Sequence, residues 1–236
     1  METILITGVT SSIGEELAFF LSKNYQIILS GRDIVKLEKL QNKLIGSNHL
    51  IWSCDFTTEN IKESLETFLR TKDVKPNHFL HVGGEFTITP LRLQKYENTV
   101  KSFQVNVFSA IEIVGFLCKK EFKSHLKNII FFSSISTKKG ISGYAVYSAA
   151  KSSLIGLTKS LAIELSPIRV NCLVIGAILT KSTEYILKGN ETLLNSNIPL
   201  GLSNSSILNE WVLFLLKNNI WMTGQELIID GGATVL

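Results

Sequence analysis

Short, continuously apolar runs alternate along this chain with longer segments whose apolar residues recur every three or four positions. The runs are Thr3–Thr7, Tyr25–Ser30, His49–Cys54, His78–Val82, Asn128–Ser133, Ile168–Ile175 and Glu226–Asp230. Such continuity suits strands covered on both faces, as in a parallel sheet. The longer segments carry helical stripes. One joins Ile34, Leu37, Leu40 and Leu44, and the next Ile61, Leu65, Phe68 and Leu69. A longer one runs through Phe103, Val107, Ile111, Val114 and Cys118, and another through Leu154, Leu157, Leu161 and Leu165. The last holds Ile207, Trp211, Phe214 and Leu215. Strands and helices in this alternation predict an α/β fold, a doubly wound parallel sheet of about seven strands with helices on both faces. Residues 181–203 fit neither period and are expected to form short helical pieces in a lid over a substrate.

Composition narrows the class. The chain has 236 residues, 45% hydrophobic and 19% charged, too apolar for disorder and long enough to bury a core. With only 4 prolines and no Gly/Ser/Pro-rich stretch, 1–236 reads as a single domain. The net charge of +4 is dispersed, so no nucleic-acid partner is expected. The four histidines lack metal spacing, and no metal is expected. Cys54, Cys118 and Cys172 are odd in number and set in apolar surroundings, which reads as reduced thiols. A glycine follows the first apolar run too soon for a signal peptide, and no run approaches a membrane span of ~18 residues. A cytoplasmic protein without a membrane partner is the expectation.

The first strand leads into Thr7-Gly8-Val9-Thr10-Ser11-Ser12-Ile13-Gly14 and then a helical segment. Gly8 permits a tight turn, Gly14 permits close packing of helix on sheet, and the helix N-terminus offers free N–H groups to a phosphate. The same stretch also reads as a plain strand-to-helix connection. At the tip of the second strand stands Ser30-Gly31-Arg32-Asp33. An acid at this place holds a ribose 2′-hydroxyl, whereas an Arg accommodates a 2′-phosphate. Arg32 therefore points to NADP(H) over NAD(H), while Asp33 either pairs with Arg32 or, in a slipped register, lies nearer the ribose.

Tyr147 and Lys151 stand four apart at the opening of the Leu154–Leu165 helix, which puts them on one face. An ammonium beside a phenol favours the phenolate, so the pair is expected to make a proton donor and acceptor with a lowered tyrosine pKa. Ser134 ends the strand Asn128–Ser133, and Asn106 interrupts an apolar helical stripe.

Together these motifs resemble the short-chain dehydrogenase/reductase family across nearly the whole chain, with a Rossmann-type sheet. Thr7, Gly8 and Gly14 match its glycine motif, and Asn106, Ser134, Tyr147 and Lys151 its catalytic tetrad. Asp55, in Cys54-Asp55-Phe56-Thr57, matches its adenine-contacting acid, and Gly176–Thr180 resembles its nicotinamide-side loop. The tail around Thr223-Gly224 and Asp230-Gly231-Gly232 is similar to its closing strand. The resemblance implies cofactor contacts at Gly8, Thr10, Ser11, Ser12, Ile13, Gly14, Arg32, Asp55, Phe56, Gly83, Tyr147, Lys151, Ile178 and Thr180. It implies hydride transfer between NADP(H) and a carbonyl or alcohol. In it Tyr147 moves the proton, Ser134 steers the oxygen, Lys151 tunes the phenol and holds the ribose, and Asn106 anchors a water. The likeness extends most fully to 3-oxoacyl-[acyl-carrier-protein] reductases, Ile198-Pro199-Leu200-Gly201 included. A sugar-type oxidoreductase in surface glycan synthesis and a non-enzymatic NADP-binding regulator are the competing readings. The family also implies a homo-oligomer, a tetramer or dimer. Three positions depart from the pattern. Ser12 replaces a glycine, where it either crowds the pyrophosphate or lends it a hydroxyl. His81-Val82-Gly83-Gly84 replaces Asn-Asn-Ala-Gly, so the bonds of the strand-supporting asparagines must be replaced. Ile175 replaces a proline before Gly176.

Overall fold

The computed structural model describes residues 1–181, 183–184, 197–217 and 221–235. Strands β1 (Thr3–Thr7), β2 (Gln26–Gly31), β3 (Leu50–Ser53), β4 (His78–His81), β5 (Asn128–Ser134), β6 (Arg169–Ile175) and β9 (Glu226–Ile229) form one sheet in the order β3-β2-β1-β4-β5-β6-β9. Every pairing in it is parallel. Two further short strands, β7 (Ile178–Leu179) and β8 (Ser203–Asn204), pair with each other beyond the carboxyl end of β6.

Alternating side chains send each strand's apolar residues to both faces. On one face Leu5, Phe79, Ile129, Phe131 and Val170 pack with residues of α3 (Ile61–Thr71), α5 (Ser109–Leu117) and α7 (Ala145–Glu164). On the other Ile4, Ile6, Leu80, Ile130 and Leu173 pack with α1 (Ser12–Leu21), α2 (Ile34–Gln41) and α8 (Asn209–Leu216). Side-chain caps start three of these helices: Ser11 accepts from Gly14 N–H, Asp33 from Lys36 N–H and Asn60 from Glu63 N–H. Asp33 is thus committed to the first turn of α2 and to an ion pair with Lys36, rather than to Arg32.

Two helical stripes differ from the expected ones. From Tyr96 to Leu117 the chain is helical throughout, as α4 (Tyr96–Phe103), a wide turn at Gln104–Phe108 and α5. In the wide turn the hydrogen bonds span five residues, as where Ser109 N–H reaches Gln104 O. The extra residue rotates everything after it. Ala110, Ile113, Val114 and Leu117 therefore face the core, and Ile111 faces outward at 46% exposure. This stretch has the length and composition of a membrane span, yet half of it is buried inside the protein, as in a core helix. In α8 the core takes Val212, Leu215 and Leu216, leaving Trp211 and Phe214 partly exposed.

The order of strands reverses between β1 and β4. In open α/β sheets the crevice that takes ligands lies at such a reversal, beyond the carboxyl ends of the strands.

Candidate active site

The α7 helix is set onto the sheet by a stripe of residues four apart, Ala150, Leu154, Thr158 and Ala162, all buried. Alanine at two of the four positions lets the helix lie close to β5 and β6. Two hydrogen bonds then fix its height. Ser133 Oγ donates to Lys151 O at 3.0 Å, and Lys151 Nζ donates to Phe132 O at 3.0 Å. Tyr147, one turn earlier, comes to the end of β5, where its hydroxyl hydrogen-bonds Ser134. Ser134 Oγ also accepts from Ser136 N–H at 3.2 Å, which orients the hydroxyl. Lys151 Nζ lies 5.9 Å from the centre of the Tyr147 ring.

Asn106 sits in the wide turn with no exposed surface. Its amide nitrogen donates to Ser102 O at 2.9 Å and to Glu85 O at 3.1 Å. Its Oδ1 is buried and has no hydrogen-bond partner among the described residues. A Cβ added to Gly84 would lie 2.7 Å from that oxygen and 2.9 Å from Lys151 Nζ. Both polar atoms therefore converge on the bare backbone at Gly84. Asn106, Ser134, Tyr147 and Lys151, spread over positions 106–151 of the sequence, meet at one corner of the crevice.

The expected direction of the tyrosine shift is corrected here. Burial pushes the Tyr147 phenol up to about 12, opposed by the bond to Ser134. Burial also pushes the Lys151 ammonium down to about 8. Desolvation is the leading cause of both shifts, and neither partner is among the causes of the other's.

At the other corner, Gly8 takes φ +69°, and a Cβ on it would sit 2.5 Å from Gly83 Cα. A Cβ on Gly14 would sit 2.3 Å from Gly8 O, so helix α1 starts against the turn itself. Thr10 is exposed and its side chain passes beside Gly31, while Ile13 packs on the apolar cluster of that face. Ser12 Oγ accepts from Lys181 N–H at 3.1 Å, so this side chain ties the turn to the segment after β7. Arg32 is exposed at the tip of β2. Its charge, after the stronger hydrogen bonds from Thr57, helps hold Asp55 below the usual carboxylate range. Phe56 turns its ring into the core beside Trp52. Ile178 is buried with its carbonyl accepting from Thr183 Oγ1 at 2.7 Å, and the Thr180 hydroxyl is 2.9 Å from Thr183 Oγ1. The bare glycine backbone, the free N–H groups of α1 and the exposed Arg32 fit a dinucleotide phosphate chain. Of the expected lid, 182 and 185–196 lie outside the described residues.

Phe86 and Tyr144 were not legible as site residues. The Phe86 ring meets Tyr147 edge-on at 5.1 Å and Tyr144 at 5.4 Å, and Tyr144 lies 6.1 Å from Tyr147. Ile88 packs over Gly143, and Thr89 N–H donates to Gly143 O at 2.9 Å, locking the two loops together. The three-residue spacing of Tyr144 and Tyr147 was the one available signal.

A family model described as enoyl-(acyl carrier protein) reductase matches residues 8–234. The 3-oxoacyl-[acyl-carrier-protein] reductase of Mus musculus is 30% identical over 236 residues, covering 96% of this chain and 95% of that protein. The 3-oxoacyl-[acyl-carrier-protein] reductase FabG of Rickettsia prowazekii is 30% identical over 237 residues, covering 98% and 96%. The solved structure of ElxO with NADP bound shares the fold, with a TM-score of 0.88 at 23% identity over 100% of this chain and 99% of that one. The chain belongs to the short-chain dehydrogenase/reductase family and is an oxidoreductase of that family.

The buried Lys151 makes a stability prediction. The unfolded chain holds the lysine proton up to about pH 10.5, the folded chain only to about 8. The penalty is therefore full below pH 8 and is relieved as pH rises through that window. Lys151→Met is expected to stabilise the ligand-free fold by about 1–3 kcal/mol at pH 7, and by less at pH 9.5. Urea unfolding at both values checks it, and a variant no more stable at pH 7 would refute it.

Proposed function

We propose that the chain is an NADP(H)-dependent carbonyl reductase whose substrate is a 3-oxoacyl thioester. The observation that carries this is the convergence of the Tyr147 and Ser134 hydroxyls, beside Lys151 and Asn106, at the crevice where the glycine turn opens. When bound, the nicotinamide dinucleotide supplies the hydride. The chain's residues handle the carbonyl oxygen. Ser134 donates a hydrogen bond to it and aims it at Tyr147. A phenol pushed up to about 12 is fully protonated at working pH, the form a proton donor needs. Once its proton has left, the phenolate faces an ammonium whose Nζ lies 5.9 Å from its ring centre, an attraction stronger after transfer than before it. Lys151, with its pKa pulled to about 8, can pass a proton on at little cost, and Asn106 Oδ1 stands beside it to order that exchange.

Arg32, exposed and free of Asp33, supports NADP(H) through a charged contact to a 2′-phosphate. The rings of Phe86 and Tyr144, with Ile88 above Gly143, make one wall apolar, which favours an acyl chain over a polyol. The homo-oligomer is part of the same proposal. Tyr96, Val100, Phe108 and Ile111 are exposed along one continuous helical run, and Trp211, Trp221 and Ile228 near the last strand. Two such apolar surfaces suit a closed tetramer.

Three outcomes are expected. Tyr147→Phe should lower turnover of acetoacetyl-CoA with NADPH by about 10²–10⁴-fold and leave NADPH affinity nearly unchanged. Steady-state kinetics beside NADPH titration reads both, and full activity in the variant would sink the mechanism. Arg32→Ala should weaken NADPH binding by about 1–3 kcal/mol with little change for NADH, measured by calorimetry. Tighter NADH binding by the unmodified chain would reverse the assignment. Light scattering at micromolar concentration should give a tetramer mass, and a monomer of 26.3 kDa would refute the assembly.

A further inference from the structure

One buried side chain joins the two corners of the site. His81 closes β4 with no exposed surface. Its Nδ1 lies 2.9 Å from Thr7 Oγ1, at the end of β1, and its Nε2 lies 3.2 Å from the main-chain oxygen of Asn106. A carbonyl only accepts, so the ring proton is on Nε2. Nδ1 then accepts from the Thr7 hydroxyl, whose oxygen receives Gly83 N–H at 3.4 Å. The bonds run in one direction, from Gly83 N–H to Thr7, from Thr7 to His81, and from His81 to Asn106.

The wide turn is what makes the last link available. Where helical bonds span five residues rather than four, a carbonyl is left without its usual donor. The imidazole N–H bonds a carbonyl of this turn, that of Asn106. The sequence pattern of the family has an asparagine where His81 stands. An asparagine side chain ends at the position of the histidine Nδ1, so it reaches the Thr7 side and stops short of the Asn106 carbonyl.

We propose that His81 is a positioning residue, holding the Asn106 main chain, and through it the amide oxygen beside Lys151, in register with the glycine turn. A shift at Asn106 displaces its Oδ1 from Lys151 Nζ, the two groups that meet over Gly84. At the other end Thr7 packs against Gly83, the residue Gly8 approaches most closely. Burial, with the Lys151 charge acting the same way, pushes the imidazole down to about 3. The ring is neutral at any working pH, and its single proton stays committed to Asn106.

The test separates the two arms of the ring. His81→Gln places an amide donor where Nε2 stood, and His81→Asn stops at the Nδ1 position. His81→Asn should lose about 10- to 100-fold in turnover of acetoacetyl-CoA with KM unchanged, the scale of a small misplacement, while His81→Gln stays within about threefold. Hydrogen exchange should rise at Gln104–Phe108 in His81→Asn and not in His81→Gln, with β1 and β4 unaltered. Equal turnover and equal exchange in the two variants would overturn the proposal. So would losses in both that follow their thermal midpoints, the mark of a merely structural histidine. The exchange measurement needs no substrate. If the unmodified protein does not reduce acetoacetyl-CoA, that counts against the thioester reading alone, and the exchange comparison decides the role of His81.

Discussion

Lys151 is a cation with 4% of its surface exposed and a main-chain carbonyl as its hydrogen-bond acceptor. Removing such a charge from water is costly, and among the described residues no carboxylate lies at its side to offset it. The rest of the site follows from that burial. The stripe Ala150, Leu154, Thr158 and Ala162 brings α7 close enough to β5 for the lysine to be sealed. The same closeness sets Tyr147 against Ser134. The same burial pushes the ammonium down and the phenol up, because it disfavours the charged form of each.

The crevice is built from backbone because side chains would close it. Gly8 and Gly83 touch through their main chains, and Gly84 leaves the space into which Asn106 and Lys151 point. A wall of bare peptide needs something rigid behind it, and the hydrogen-bonded run through Thr7, His81 and Asn106 provides it. The departures from the family pattern are consistent with this. Ser12 has its hydroxyl taken by the Lys181 N–H, and the histidine at 81 bonds on both sides of the strand end.

The seven main strands were legible to within a residue or so at their ends, because a strand buried on both faces is apolar throughout and strand ends are marked by glycine or polar residues. The four candidate site residues were legible as residue types at telling intervals. The phase of the Phe103–Cys118 stripe was not, since the wide turn that rotates it depends on what Asn106 and its neighbours touch. The tyrosine shift was read with the wrong sign. Spacing along a helix says that two side chains share a face, but not how much water lies between them or around them.

By itself the sequence determined the alternation of strand and helix, the single layer of parallel sheet, and which chemical groups were available at its carboxyl edge. These depend on local period and composition, which are properties of consecutive residues. Tertiary structure alone decided that Asn106 and Lys151 meet over Gly84, that the rings of Phe86 and Tyr144 pack beside Tyr147, and that His81 spans from Thr7 to Asn106. Those contacts join residues from different strands and loops. Their distances and dielectric surroundings are set by how α7 and the helix around Asn106 settle on the sheet, and packing of that kind leaves no trace in any one stretch of chain.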